Sequence, residues 1–195
     1  MATGGAALMI ARNLLALQDG IKKAEEAWKD LSKIGLTLET EEMKGMMDRT
    51  ASHTRPKLAG ERSGVSVEVR IHSDMVHYGW TVVSGKRPDS SETKLGVICS
   101  PGGVLGYLRS LIGQDIEIGD EAFDAGYLIT GKPDSFAKEI LVPTVREHIV
   151  ACGAKLAAYK IDGDTVSVTL HGVETDPEIL GRAVDLCALG ASFKS

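Results

Sequence analysis

Cys99-Ser100-Pro101-Gly102-Gly103 follows a short apolar run and precedes helix-like sequence. A glycine-rich turn at a helix N-terminus suits a phosphate, and a thiol or hydroxyl on a sharp turn suits a nucleophile. The details oppose both uses. Pro101 removes a backbone N–H, no Gly-Lys-Ser/Thr follows, and the pattern is not G-x-S-x-G. The stretch reads as a strand-to-helix corner in which Pro101 fixes φ and Gly102 or Gly103 takes a positive φ. A second stretch, Gly119 to Asp124, places Asp120 and Asp124 where they could share a divalent cation. Such ions usually need more oxygen ligands than two side chains provide. The plainer reading has Asp120 capping a short turn and Phe123 anchoring it in the core.

The remaining reactive residues are dispersed. Histidines 53, 72, 77, 148 and 171 form no H-E-x-x-H and no ligand pair on one helix face. Cys99, Cys152 and Cys187 are odd in number and far apart, which suits neither a disulfide framework nor a zinc site. No catalytic, cofactor-binding or metal-ligating residue is therefore assigned, and no cofactor is expected.

The chain that must position these residues has 195 amino acids and a formal net charge of −5. A length of this order buries roughly 70% of the unfolded surface, so no staple is required. With no Lys/Arg block in view, a nucleic-acid partner is not expected. No apolar run approaches the ~18 residues of a membrane helix, and the N-terminus makes a poor signal peptide. The expected location is the cytoplasm.

The clearest periodicity lies at the start. Ile10, Leu14, Leu17, Ile21, Ala24, Trp28 and Leu31 form a heptad seam on one helical face. Residues 1–35 are thus expected to be an amphipathic helix, packed either on its own domain or on another chain. Ile10, Leu14, Leu17, Ile21, Trp28 and Leu31 are its candidate interaction residues. Residues 36–62 read as a connector, with a short helix around Glu41 to Met47. Residues 63–195 read as an α+β domain.

In that domain Val65, Val67, Val69 and Ile71 alternate with polar residues, and Val76, Tyr78, Trp80 and Val82 do the same. Both predict strands with those apolar sets facing the core. Lys94 to Ser100 and Ala125 to Gly131 predict two more strands. Asp162-Gly163 marks a hairpin. Helical sequence flanks Pro143, which forces a kink or a restart. The last helix begins near Pro177, capped by Thr175 with Glu178 or by Asp176, with Leu180, Ala183, Val184 and Cys187 inside. Strands in hairpins, with helices between and after them, predict a mainly antiparallel α+β fold.

Several motifs also carry a resemblance: Gly60, Gly64 and Val67; then Gln114-Asp115-Ile116 with Gly119-Asp120 and Phe123-Asp124; then Leu141, Pro143 and Arg146. Over roughly residues 57–190 the chain resembles an uncharacterised bacterial domain family whose members are often tethered by membrane helices. The resemblance implies no catalytic residues. A membrane tether like the family's is not expected here, where the heptad-patterned helix takes the corresponding place.

The leading expectation is a non-catalytic cytoplasmic module that binds a partner protein or itself. A hydrolase using the Ser100–Gly103 corner or Asp120/Asp124 is the alternative. A peripheral membrane binder using the N-terminal helix is the second alternative.

Overall fold

Among the described residues, eight strands form one sheet. The computed structural model describes residues 16, 18–29, 35–44, 52–72, 79–88, 92–99 and 115–193. The strands are β1 (Leu36–Lys44), β2 (Ser52–Arg62), β3 (Val65–His72), β4 (Trp80–Lys86), β5 (Lys94–Cys99), β6 (Tyr127–Lys132), β7 (Leu156–Asp162) and β8 (Thr165–His171). Their spatial order is β1-β2-β3-β4-β8-β7-β5-β6. Every neighbouring pair is antiparallel, in keeping with the expected α+β class.

Among the described residues there are five helices: α1 (18–29), α2 (Glu121–Gly126), α3 (Asp134–Ile140), α4 (Pro143–Cys152) and α5 (Pro177–Ser192). Helix α5 crosses β2, β3, β4 and β8, α3 lies on β5 and β6, and α4 packs on α5 and β7. Pro143 restarts the helical run at the first position of α4, where its missing N–H costs nothing. Of the two possible caps for α5, the chain uses Asp176, whose carboxylate accepts from the Glu178 N–H at 2.8 Å. Leu180, Ala183, Val184 and Cys187 are all buried, as the helical spacing predicts.

Residues 36–44 and 52–62 correct the sequence reading. They are strands, not a connector, and Glu41–Lys44 is not a helix. β1 and β2 form a hairpin that continues the sheet of the later strands. Leu36 and Leu58 face the core and are fully buried. Gly60 allows the close approach, because a Cβ there would collide with the Gly35 carbonyl and lie 3.0 Å from the Leu36 side chain. The other face is charged: Lys57 reaches Glu68 at 2.9 Å and Glu39 at 3.4 Å. So few apolar residues carry the strand pattern that composition hides it. The β2–β3 turn is the pair Ser63-Gly64, both at positive φ, which matches the twist of a two-residue hairpin.

The β4 face is a second correction. Trp80 and Val82 were expected to face the core. Thr81 and Val83 face it instead, both fully buried, while Trp80 and Val82 are half-buried on the opposite face. Pairing fixes this phase, since Val83 lies opposite Val69 on one side and Val168 on the other. The buried Thr81 hydroxyl donates to the Gly172 carbonyl at 3.0 Å and accepts from the Glu174 N–H at 2.8 Å, so its burial leaves nothing unsatisfied.

Candidate functional site

The N-terminal seam is settled only in part. Ile10, Leu14, Leu17 and Leu31 lie outside the described residues. Ala24 and Trp28 are buried in the chain's own core, and Ile21 packs against it half-buried. The Trp28 indole N–H donates to the Glu174 carbonyl at 2.9 Å. Glu174 in turn receives the Thr175 and Asp176 N–H groups on one carboxylate oxygen and pairs with Lys155 at 3.3 Å through the other. Over 18–29 the apolar face is thus used within the chain. Trp28 is not presented to a second chain or to a bilayer.

Ser100 to Gly103 also lie outside the described residues. Cys99, at the end of β5, is half-buried, and burial pushes its thiol pKa up. That is the wrong direction for a nucleophile at neutral pH. Burial likewise pushes Cys152 up to about 11 and Cys187 to about 12.

The Asp120/Asp124 pair is brought together, but for backbone work. Asp124 accepts from the N–H groups of Ile118, Gly119 and Asp120 at 3.1–3.2 Å. Gly119, at φ +85, lets the chain curl so that these donors converge. Asp120 caps α2 by accepting from the Phe123 N–H at 3.2 Å, and its other oxygen meets Arg146 at 3.0 Å. Each carboxylate serves a different set of donors, which removes the basis for a paired acid/base role. Among the described residues, no group of three or more His, Cys, Asp or Glu side chains is placed to hold a metal ion. Asp124→Asn is expected to cost about 1–2 kcal/mol, because a neutral amide offers one acceptor where the carboxylate offers two charged ones. Urea denaturation checks this.

Asp115 completes the local framework. Its carboxylate accepts from the Ile129 N–H at 3.2 Å, and the Ile129 carbonyl accepts from the Ile116 N–H at 2.9 Å. Part of the outer edge of β6 is thereby covered rather than left open to strand addition.

These contacts hold α2 so that it separates two hollows. On one side lies a groove of about 560 Å³ between α2 and α4. Phe123 and Tyr127, stacked with ring centroids 4.4 Å apart, form part of its wall. The α4 wall is Pro143, Arg146, Glu147, Val150 and Ala151, at helical spacing i, i+3, i+4, i+7 and i+8. Val145, Ile149 and Cys152 are buried on the other side of the same helix. Val150 is 55% exposed and Val142, capping α4, is 42% exposed; they are the exposed large hydrophobics among the described residues. On the far side of α2 lies an acidic hollow of about 600 Å³ lined by Asp115, Glu117, Glu121 and Asp124. Glu117 and Glu121 are exposed there.

Of the groove's lining the sequence singles out Asp120 as a candidate for chemistry, and none of the apolar wall. In the sequence Phe123 reads as a core anchor and Tyr127 as part of a strand. The available signal was α4 itself, whose apolar residues exceed one core-facing stripe.

Comparison with known proteins adds a fold relationship. No protein-family model matches the chain, and no curated protein matches it. It is similar to the crystal structure of the mycobacterial trehalose monomycolate transport factor A, TtfA, with a TM-score of 0.54 and 11% identity over 87% of this chain and 92% of that one. At that identity the likeness concerns the fold. Among the described residues no helix is long and apolar enough to cross a membrane.

Proposed function

We propose that the chain is a non-catalytic module of the cytoplasm that binds a basic, amphipathic segment of a partner protein across α2. The carrying observation is the adjacency of an apolar groove, with Val150 exposed beside Phe123 and Tyr127, to an acidic hollow. Apolar side chains of the segment fill the groove and its lysines or arginines face Glu117 and Glu121. The groove's volume falls in the usual range for binding clefts. The fold likeness to a transport factor supports a non-enzymatic accessory role. Three unpaired cysteines suit a reducing compartment.

A 14-residue Leu/Lys amphipathic helix and its Leu/Glu counterpart serve as probes. The Leu/Lys peptide should bind saturably and shift the amide resonances of Tyr127, Glu121 and Val150. Val150→Asp should weaken it by about tenfold or more, because a charge is then buried without a partner. Equal affinity for both peptides, or indifference to Val150→Asp, sinks the reading. So does a concentration-dependent dimer, seen by light scattering and abolished by Val150→Asp, because the groove's occupant is then a second copy.

A further inference from the structure

We propose that the sheet face opposite α3–α5 carries a binding site for a phosphate-bearing anion, formed by Lys94, Lys132 and Lys160 above Gly96. The site lies on β6, β5 and β7, away from α2, and does not depend on the peptide-binding reading.

Strand register places these groups. Lys94 on β5 is directly opposite Lys132 on β6 and Asp162 on β7. One step along the strands, Gly96 is directly opposite Thr130 and Lys160. The result is a hollow of about 360 Å³ lined by all three lysines, Gly96, Thr130 and Asp162. Asp162 pairs with Lys94 at 3.3 Å. Neither Lys132 nor Lys160 has a carboxylate partner among the described residues.

Two features point to a ligand. The first is the direct opposition of Lys94 and Lys132, since like charges facing each other across a ladder destabilise a sheet. Lysines on an edge strand can deter edge-to-edge association, which accounts for Lys132. It does not account for Lys94 and Lys160, on the interior strands β5 and β7. The second is Gly96, a glycine inside an interior strand, which weakens the strand unless something approaches the backbone closely. The Thr130 hydroxyl makes that approach: a Cβ at Gly96 would lie 2.8 Å from it, so any side chain there requires Thr130 to turn. Nothing else lies within 4 Å of that position, which leaves the space above the glycine open beside a hydroxyl.

The bare backbone therefore gives the hollow its floor, and Thr130 gives it a hydroxyl. That hydroxyl donates to the Gly96 carbonyl over a long 3.4 Å, a bond readily exchanged for one to an anion. In a chain of net charge −5, the hollow holds three cations against one carboxylate. Three ammonium groups and a hydroxyl match the several acceptor oxygens and the double charge of a phosphomonoester.

Inorganic phosphate, glycerol 3-phosphate and vesicles of phosphatidylcholine with or without phosphatidic acid are titrated at constant ionic strength, which separates a site from general screening. Saturable shifts of the Gly96, Thr130, Lys132 and Lys160 amides with the soluble phosphates indicate a solute ligand. Co-sedimentation restricted to phosphatidic acid vesicles indicates a lipid headgroup. In either case Lys132→Ala and Lys160→Ala should each weaken binding about tenfold. Lys86→Ala, at the end of β4 beyond the hollow, should leave it unchanged. The lysines are exposed, so the variants should stay folded, with Tm at the wild-type value for Lys160→Ala and at or slightly above it for Lys132→Ala, which relieves the repulsion from Lys94. The proposal is overturned by no saturable response to any probe. Binding that survives the Lys132→Ala/Lys160→Ala double variant overturns it equally.

Discussion

Trp28→Ala is expected to lower the unfolding free energy by about 3–5 kcal/mol, the usual cost of removing a buried tryptophan. In a chain of this size that corresponds to roughly 6–20 °C in Tm. The indole is fully buried in the same core cluster as Leu36 and Leu58. Its N–H also closes a hydrogen bond with the Glu174 carbonyl, on the loop that leads into α5. Trp28→Phe keeps most of the apolar surface and loses the donor, so its cost should be nearer 1–2 kcal/mol. Hydrogen exchange separates local from global loss. In Trp28→Ala the α1 amides should lose protection while those of β3, β4 and β8 keep theirs. Unchanged stability, or unchanged α1 protection, means that this contact does not hold α1 to the body.

The second large effect is at Gly190 on α5. A Cβ there would overlap the Tyr159 hydroxyl and lie 3.1 Å from Val166 Cγ1. In an open helix Gly→Ala stabilises by about 1 kcal/mol, but overpacking a full core costs about 1–3 kcal/mol or more. The overlap is with a ring on an interior strand, so overpacking wins and Gly190→Ala should destabilise by about 2 kcal/mol. Tyr159 is fully buried, and its hydroxyl has no hydrogen-bond partner among the described residues. Burial pushes its pKa far up, so it stays neutral at any ordinary pH. Tyr159→Phe removes an unsatisfied polar group and should be neutral or stabilising by about 1 kcal/mol. The double variant should recover most of the loss from Gly190→Ala. Strict additivity in that thermodynamic cycle, followed by urea denaturation, contradicts the contact.

Legibility in the sequence follows the strength of the local signal. β3 was read correctly because four branched residues alternate without interruption, and β7–β8 because Asp162-Gly163 marks the reversal. The structure places the two-residue loop one step on, at Gly163 and Asp164 between the paired Asp162 and Thr165. The β1–β2 hairpin is hard to see in the sequence because, among the described side chains, its apolar face is carried by little more than Leu36, Leu38, Pro56 and Leu58, with charged residues such as Glu39 and Lys57 on the other. The phase of β4 was missed because Thr81 counts as polar in a pattern, whereas two hydrogen bonds make it a core residue. Asp120 was read correctly as a cap, since capping needs only the next three residues. The three backbone donors of Asp124 depend on the curl at Gly119, which spacing does not reveal.

By itself the sequence determined the α+β class, the antiparallel pairing, a break in the helical run at Pro143 and the inner face of α5. Each rests on interactions between residues close in the chain, or on one side-chain period. Only the tertiary structure decided that Ala24 and Trp28 serve the chain's own core, and that Phe123 and Tyr127 meet Val150 across a groove. It alone gathers Lys94, Lys132 and Lys160 around one glycine. Those groupings arise from strand order and helix docking, which bring together residues tens of positions apart, and no local pattern records them.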